Sequence, residues 1–312
     1  MSAAELGPAA SGAFNPPAGG TSLAGGPIAE RGSGRLILAS FARNWQARIG
    51  LGVVILLALF CFIGPLLYST NQVTVNLNIK DLAPGGSHPV GTDDLGYDVL
   101  GRLMVAGQSS LELGLAVSIA TTVIGTLYGA IAGLVGGFVD AVMMRLVDVG
   151  LSLPSLMVIL VLSVIFNPTP AAIIFIIAVF YWFGVARLVR GETLALRNRE
   201  HVQAVKVIGG RPMRSVLRHI VPNAIGTIIV QVTFAVADSI ITLSILGFLT
   251  LGIAPPNTDW GSMLEGGLTY IQGGNYWWLI YPPGIAIILT CIAFNFIGDA
   301  LRDAFETRLQ RR

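Results

Sequence analysis

IGLGVVILLALFCFIGPLLY, residues 49–68, decides the fold: twenty residues pass without one charge. A helix that crosses a bilayer needs about 20 predominantly apolar residues. The run begins too late and is too long for a cleaved leader, so it reads as a retained span. The same pattern recurs, and six spans are expected, at about 47–69, 109–136, 142–166, 169–190, 223–250 and 277–300. Composition agrees: of 312 residues 54% are hydrophobic and only 12% charged, where a soluble domain carries about 25% charged residues. The expected fold is therefore an all-α polytopic membrane protein with six transmembrane helices. Gly136 and Gly137 blur the end of the second span, and Pro154 predicts a kink in the third.

Outside the spans the chain divides simply. Residues 1–34, rich in Gly, Ala, Pro and Ser, are expected to be a disordered tail. Residues 35–108 would carry the first span and an outer segment, and 109–312 the main transmembrane domain. The net charge of +2 suggests no nucleic-acid partner. Cys61 and Cys291 lie inside apolar runs and read as small buried hydrophobes. His88, His201 and His219 make no metal-ligand pattern with acids or cysteines.

Lys and Arg in the short loops set the orientation. Arg31, Arg35, Arg43 and Arg48 precede the first span, and Arg302, Arg308, Arg311 and Arg312 follow the last. Arg187 to Arg218 cluster after the fourth span, whereas residues 252–277 hold no Lys or Arg. Both termini are thus expected in the cytoplasm. Tyr276, Trp277, Trp278 and Tyr281 would form an aromatic belt at the outer interface. Gly125, Gly129, Gly133 and Gly137 recur every fourth residue, lining one helix face for close backbone approach.

One stretch breaks the apolar pattern: EHVQAVKVIGGRPMRSVLRHIVPN, residues 200–223. Met213, Val216, Leu217, Ile220 and Val221 fall on one face of a short amphipathic helix, with Arg211, Arg214 and Arg218 toward the other. Pro212 suits its first turn, and Gly209-Gly210 end the helix before it. Neither helix is long enough to cross a bilayer. The short helix could rest on anionic headgroups or dock in a groove on another subunit.

The stretch resembles the cytoplasmic EAA loop of ABC importer permeases. Gly209 stands thirteen residues before Pro222, as in that loop, and Ala204 matches one of its alanines. Gln203 replaces the acid and Val205 the other alanine. His88–Gly114 is similar to the segment after the first span in dipeptide and oligopeptide permeases, of the C-type partner of the pair. Phe248–Leu264 (FLTLGIAPPNTDWGSML) and Asn295–Leu309 (NFIGDALRDAFETRL) resemble two further blocks of that family. Thr250 stands where a Gly is usual, and Leu243 where a Glu is frequent.

The resemblance implies a type I ABC importer architecture in the bacterial cytoplasmic membrane. The partners would be a homologous permease in a heterodimer, two cytoplasmic ATPases and an extracytoplasmic substrate-binding protein. A coupling loop at 192–222, with Glu200, Gln203, Ala204, Gly209, Arg211, Arg214, Arg218 and Pro222, would transmit ATPase motion. The cargo would be short peptides; nickel chelates, haem and glutathione are carried by permeases of the same group. ATP and Mg would sit on the partner ATPases, and this chain would bind no cofactor. Its only lysines, Lys80 and Lys206, neither follow a Gly nor precede Ser or Thr, so no Walker A loop is present.

A proton-coupled secondary transporter is the main alternative, since such proteins place acids within the membrane. Glu112 and Asp299 lie near span ends; Asp148 and Asp238 lie deeper. Asp148 and Asp238, with Tyr181 and Trp182, are the candidate path residues. No HExxH, GxSxG or Cys/His cluster supports a membrane-embedded enzyme. The outer segments 73–105 and 253–275 are acidic, and Asp93, Asp94 and Trp260 are the candidates for receiving the binding protein.

Overall fold

The computed structural model describes residues 33–166, 169–197, 221–268, 270 and 276–310. Almost all of these are helical: α1 (Ser33–Arg43), α2 (Trp45–Leu67), α3 (Val99–Val135), α4 (Gly137–Ser152), α5 (Ser155–Phe166), α6 (Pro170–Arg197), α7 (Val221–Phe248), α8 (Trp260–Leu268) and α9 (Trp277–Gln310). The helices α2, α3, α6, α7 and α9 are each long and apolar enough to cross a membrane. The sixth expected span is the pair α4 and α5, bent by 79° between them. Pro154, expected to kink a continuous span, instead sits in a break between two helices. The tail residues 1–32 and the coupling-loop residues Glu200, Gln203, Ala204, Gly209, Arg211, Arg214 and Arg218 lie outside the described residues. Pro222 falls in the first turn of α7, within the limits of helical Pro tolerance.

The second span begins ten residues before its expected start, at Val99 rather than 109. Asp98 caps it: its Oδ1 accepts the Gly101 amide at 2.8 Å, and its backbone is extended. Hydropathy misses these turns because Arg102 and Gln108 dilute them. They are nonetheless packed, with Leu103 and Ala106 in one core cluster with Cys61 and Trp260. At the other end Gly136 (φ +69°) and Gly137 (φ +58°) both take left-handed backbone, which stops α3 and redirects the chain into α4.

The most extensive contact between two helices among the described residues is that of α3 with α6. Three of the four spaced glycines make it. A Cβ on Gly125 would lie 2.6 Å from Val185 Cβ, and one on Gly133 2.8 Å from Thr193 Cβ. One on Gly129 would overlap the Ala186 carbonyl oxygen. Gly137 has no such neighbour; its role is the turn. Around this pair α7 packs on α3, α9 on α7, and α2 on α9, while α1 lies along α9.

The first span contains a π-helical turn, Leu59–Ile63, followed by Pro65. Pro65 has no N–H, so the Cys61 carbonyl loses the donor that a regular helix would supply four residues on. Gln108 of α3 supplies one instead, its Nε2 donating to Cys61 O at 2.8 Å. An unmatched carbonyl inside a membrane span is costly, so this bond, with the packing of Cys61 on Leu103 and Ala106, ties α2 to α3.

Gly129→Ala is expected to force α3 and α6 apart, at a cost of about 1–3 kcal/mol. Thermal unfolding in detergent should register a midpoint lowered by several degrees. Gly184→Ala, where a Cβ meets nothing within 4 Å, should not lower it.

Candidate functional site

Asp238 sits on α7 with Ile241, Thr242 and Ile245, at i, i+3, i+4 and i+7, so all four share one helix face. With Leu156 of α5 and Tyr181 of α6 they line a hollow of about 200 Å³. The Thr242 hydroxyl donates to the Asp238 backbone carbonyl at 2.9 Å. Its single hydrogen is thereby used, so the Tyr181 hydroxyl, also bonded to Thr242 Oγ1, is the donor of that pair. The Asp238 carboxylate has neither hydrogen-bond nor ion-pair partner among the described residues, and it is exposed on the helix surface. A free carboxylate within a membrane span is tolerated where it faces a hydrated cavity. Asp238 and Tyr181 are thus brought together, and Thr242 joins them.

Asp148 and Trp182 lie elsewhere. Asp148 on α4 is ion-paired with Arg187 of α6, and both side chains are about half exposed. Trp182 packs edge-on to Tyr128, with ring centroids 4.6 Å apart, beside the cluster of Ala132, Met144, Val147 and Ala186. It is therefore a packing residue between α3, α4 and α6. One turn beyond Arg187, Arg190 makes a two-pronged bond to Asp140: Nε to Oδ1 at 2.5 Å and Nη2 to Oδ2 at 2.6 Å. The two ion pairs hold α4 to the half of α6 that leads into the 198–220 segment.

A larger cleft, about 710 Å³, opens at the end of the molecule that carries the 68–98 segment. Its walls come from that segment (Asp93, Asp94), from Arg102, from the end of α5 (Ser163, Val164), from the turn after α7 and from α8 (Ser262 to Gly267). Leu156 and Ser163 lie about two turns apart on α5, and α7 flanks both spaces through Ile245 and Gly247. The cleft and the Asp238 hollow therefore follow one another along the same two helices.

The candidate docking residues separate in this cleft. Asp93 is committed to its own loop: it accepts the amides of Leu95 at 3.1 Å and Tyr97 at 2.7 Å and pairs with Arg102 at 3.6 Å. Burial pushes its carboxyl above the usual range, and those amides and Arg102 pull it back in part. Asp94 and Glu265 have no such engagement among the described residues. Trp260, expected at the outer interface, is instead fully buried. Its Nε1 donates to Leu103 O at 3.1 Å, its amide to Ser110 Oγ at 3.2 Å, and a Cβ on Gly107 would lie 2.7 Å from its ring. It fastens α8 to α3 and offers no surface to a partner. Asp259, beside it, is also buried, which raises its carboxyl; the Ser262 and Gly261 amides oppose that rise. The expected aromatic belt is split the same way, with Trp277 and Tyr281 exposed and Trp278 buried against Val99 and Leu279.

Sequence reasoning overlooked Thr242, Asp140 and Ser163. Thr242 could have been found, since it stands one helical turn from Asp238. Asp140 had no local signal: its partner is fifty residues away, and Arg190 was counted only as a loop charge.

Comparison with known proteins agrees with the blocks read above. Residues 125–311 match the family described as binding-protein-dependent transport system inner membrane component. Residues 33–84 match the N-terminal TM domain of oligopeptide transport permease C. The chain is 42% identical over 282 residues to a dipeptide transport system permease protein of Escherichia coli K12, covering 87% of this chain and 92% of that one. It is 39% identical over 269 residues to the dipeptide permease protein of Bacillus subtilis, covering 86% and 84%. The oligopeptide permease protein of Salmonella typhimurium is 39% identical over 270 residues, covering 86% and 89%.

Asp140→Ala, which strands the Arg190 guanidinium, is expected to destabilise the α4–α6 contact by about 1–3 kcal/mol. The reciprocal swap Asp140→Arg with Arg190→Asp should recover part of the loss in a thermal midpoint measurement, because the pair is re-formed in the opposite sense.

Proposed function

The chain belongs to the family of binding-protein-dependent transport system inner membrane components, and from that premise we propose that it forms one half of the path through an ATP-driven importer of short peptides. The other half is a homologous permease. Two cytoplasmic ATPases supply the energy, and an extracytoplasmic binding protein delivers the cargo. The relatives named above for dipeptide and oligopeptide transport support the cargo class.

The observation that carries the path is the Asp238 carboxylate, without a partner among the described residues, in a hollow with Tyr181 and Thr242. Such a group can meet the ammonium end of a peptide, with the two hydroxyls close by for a polar backbone. The residues 200–222, with Gly209 and Pro222 spaced as in the coupling loop, receive the ATPase. Asp140–Arg190 and Asp148–Arg187 then make α4 move with α6 as one body, so a push on the loop reaches the hollow. Both termini face the cytoplasm in this reading, and the 68–98 segment lies on the opposite side, where the binding protein docks. ATP and Mg stay on the partner subunits.

The deciding experiment is reconstitution of the chain with its partner permease, ATPases and binding protein in liposomes. Uptake of labelled di- and tripeptides should require ATP and stop with vanadate. Asp238→Asn should lower uptake about tenfold, the loss of one interaction of roughly 1.4 kcal/mol, with the complex still assembled. Arg214→Glu with Arg218→Glu should separate ATP hydrolysis from uptake. Uptake that persists without the ATPases and follows a proton gradient would instead assign a secondary carrier. Uptake of nickel chelate, haem or glutathione in place of peptide would reassign the cargo only.

A further inference from the structure

The larger cleft is acidic, partly apolar and incompletely satisfied. Asp93 and Arg102 offset one another across 3.6 Å. The Asp259 carboxylate is taken up by amides within its own loop. That leaves Asp94 and Glu265 as two carboxylates without a partner among the described residues. A separate observation concerns Ser163, at the end of α5. It is only 2% exposed and lines the cleft, yet its Oγ has no hydrogen-bond partner among the described residues. A buried hydroxyl left unmatched has a bond to offer to a ligand or a water. The space, about 710 Å³, lies in the range of small-molecule sites. Val99, Val164, Leu251 and Leu279 give it apolar sides.

We propose that this cleft is a subsite for a primary ammonium, the free amino end of the cargo peptide, accepted by Asp94, Glu265 and Ser163 Oγ before the peptide reaches Asp238. The inference rests on the peptide-importer reading and deepens it. An alkylammonium carries three N–H donors and no acceptor, and three residues that line the cleft, Asp94, Glu265 and Ser163, hold acceptors without a partner among the described residues. A metal ion suits the site less well, since no group of three or more His, Cys, Asp or Glu stands close enough to hold one among the described residues. A lone lysine from a docking protein would leave the apolar walls unfilled, whereas the side chains of a short peptide cover them. The geometry then gives two successive acceptors for the same cation along α5 and α7, the wide one outside and the narrow one deeper.

The test uses the assembled permease–ATPase complex in nanodiscs without the binding protein, so that the binding protein's own selectivity cannot contribute. Trialanine and N-acetyl-trialanine are titrated by saturation-transfer NMR at millimolar concentration. Trialanine is expected to bind at least tenfold more tightly than the acetylated form. Glu265→Gln and Ser163→Ala, each checked for intact assembly by size-exclusion chromatography, should each weaken trialanine binding and shrink that preference. Equal binding of the two peptides overturns the proposal, and so does a preference that survives both substitutions. If instead only the affinity of the binding protein for the complex falls in Glu265→Gln, the cleft serves docking and the proposal fails. ATP-driven peptide uptake by the unaltered complex, measured alongside, tells the two readings apart. Its presence with no amine preference removes the subsite alone; its absence removes both.

Discussion

The contact on which the rest depends is the approach of α3 to α6 across Gly125, Gly129 and Gly133. In a bilayer there is no gain from hiding one apolar helix against another, because lipid tails are equally apolar. Association comes from dispersion at close range and from hydrogen bonds. Glycine supplies the first by removing the side chains that would keep two backbones apart. Once α6 is seated there, Tyr181 is carried to Thr242, and Arg187 and Arg190 are carried to Asp148 and Asp140. The hollow and its supporting ion pairs are thus downstream of three missing methyl groups.

The polar residues of the bundle fall into two kinds. Some repair the backbone or one another: Gln108 at Cys61, Ser118 Oγ donating to Val232 O at 2.8 Å, and the Asp140–Arg190 pair. Others have no partner among the described residues: Asp238 in the hollow, and Asp94, Glu265 and Ser163 in the cleft. The hollow and the cleft both run along α5 and α7, whereas the hydroxyls of Thr122 and Thr126, also without a partner among the described residues, are buried on α3.

The spans, five continuous and one broken, and three glycines of the packing face were legible because apolar runs and a four-residue spacing are written along the chain. The bend at Pro154 was legible as a position but not as 79° between two helices, since composition carries no angle. The early start of α3 was hidden by Arg102 and Gln108, polar residues whose partners lie in the 68–98 segment and in α2. Trp260 shows the same limit. A tryptophan near an outer turn has the composition of a belt residue, and only the fold reveals that Gly107 leaves room for its ring. Asp238 was readable as a charge within a span. Asp148 looked identical in sequence and differs only because Arg187 reaches it.

The bond from Gln108 to the Cys61 carbonyl has a consequence for how this sequence can drift. Its value comes from Pro65, which withholds the amide that would otherwise fill that place. While the proline stays, mutation at 108 leaves a buried carbonyl without its cross-helix donor. If the proline is first exchanged for a residue bearing an N–H, the glutamine becomes dispensable and its position is released to neutral change. Inheritance at two sites on different helices is therefore ordered, with 65 having to move before 108.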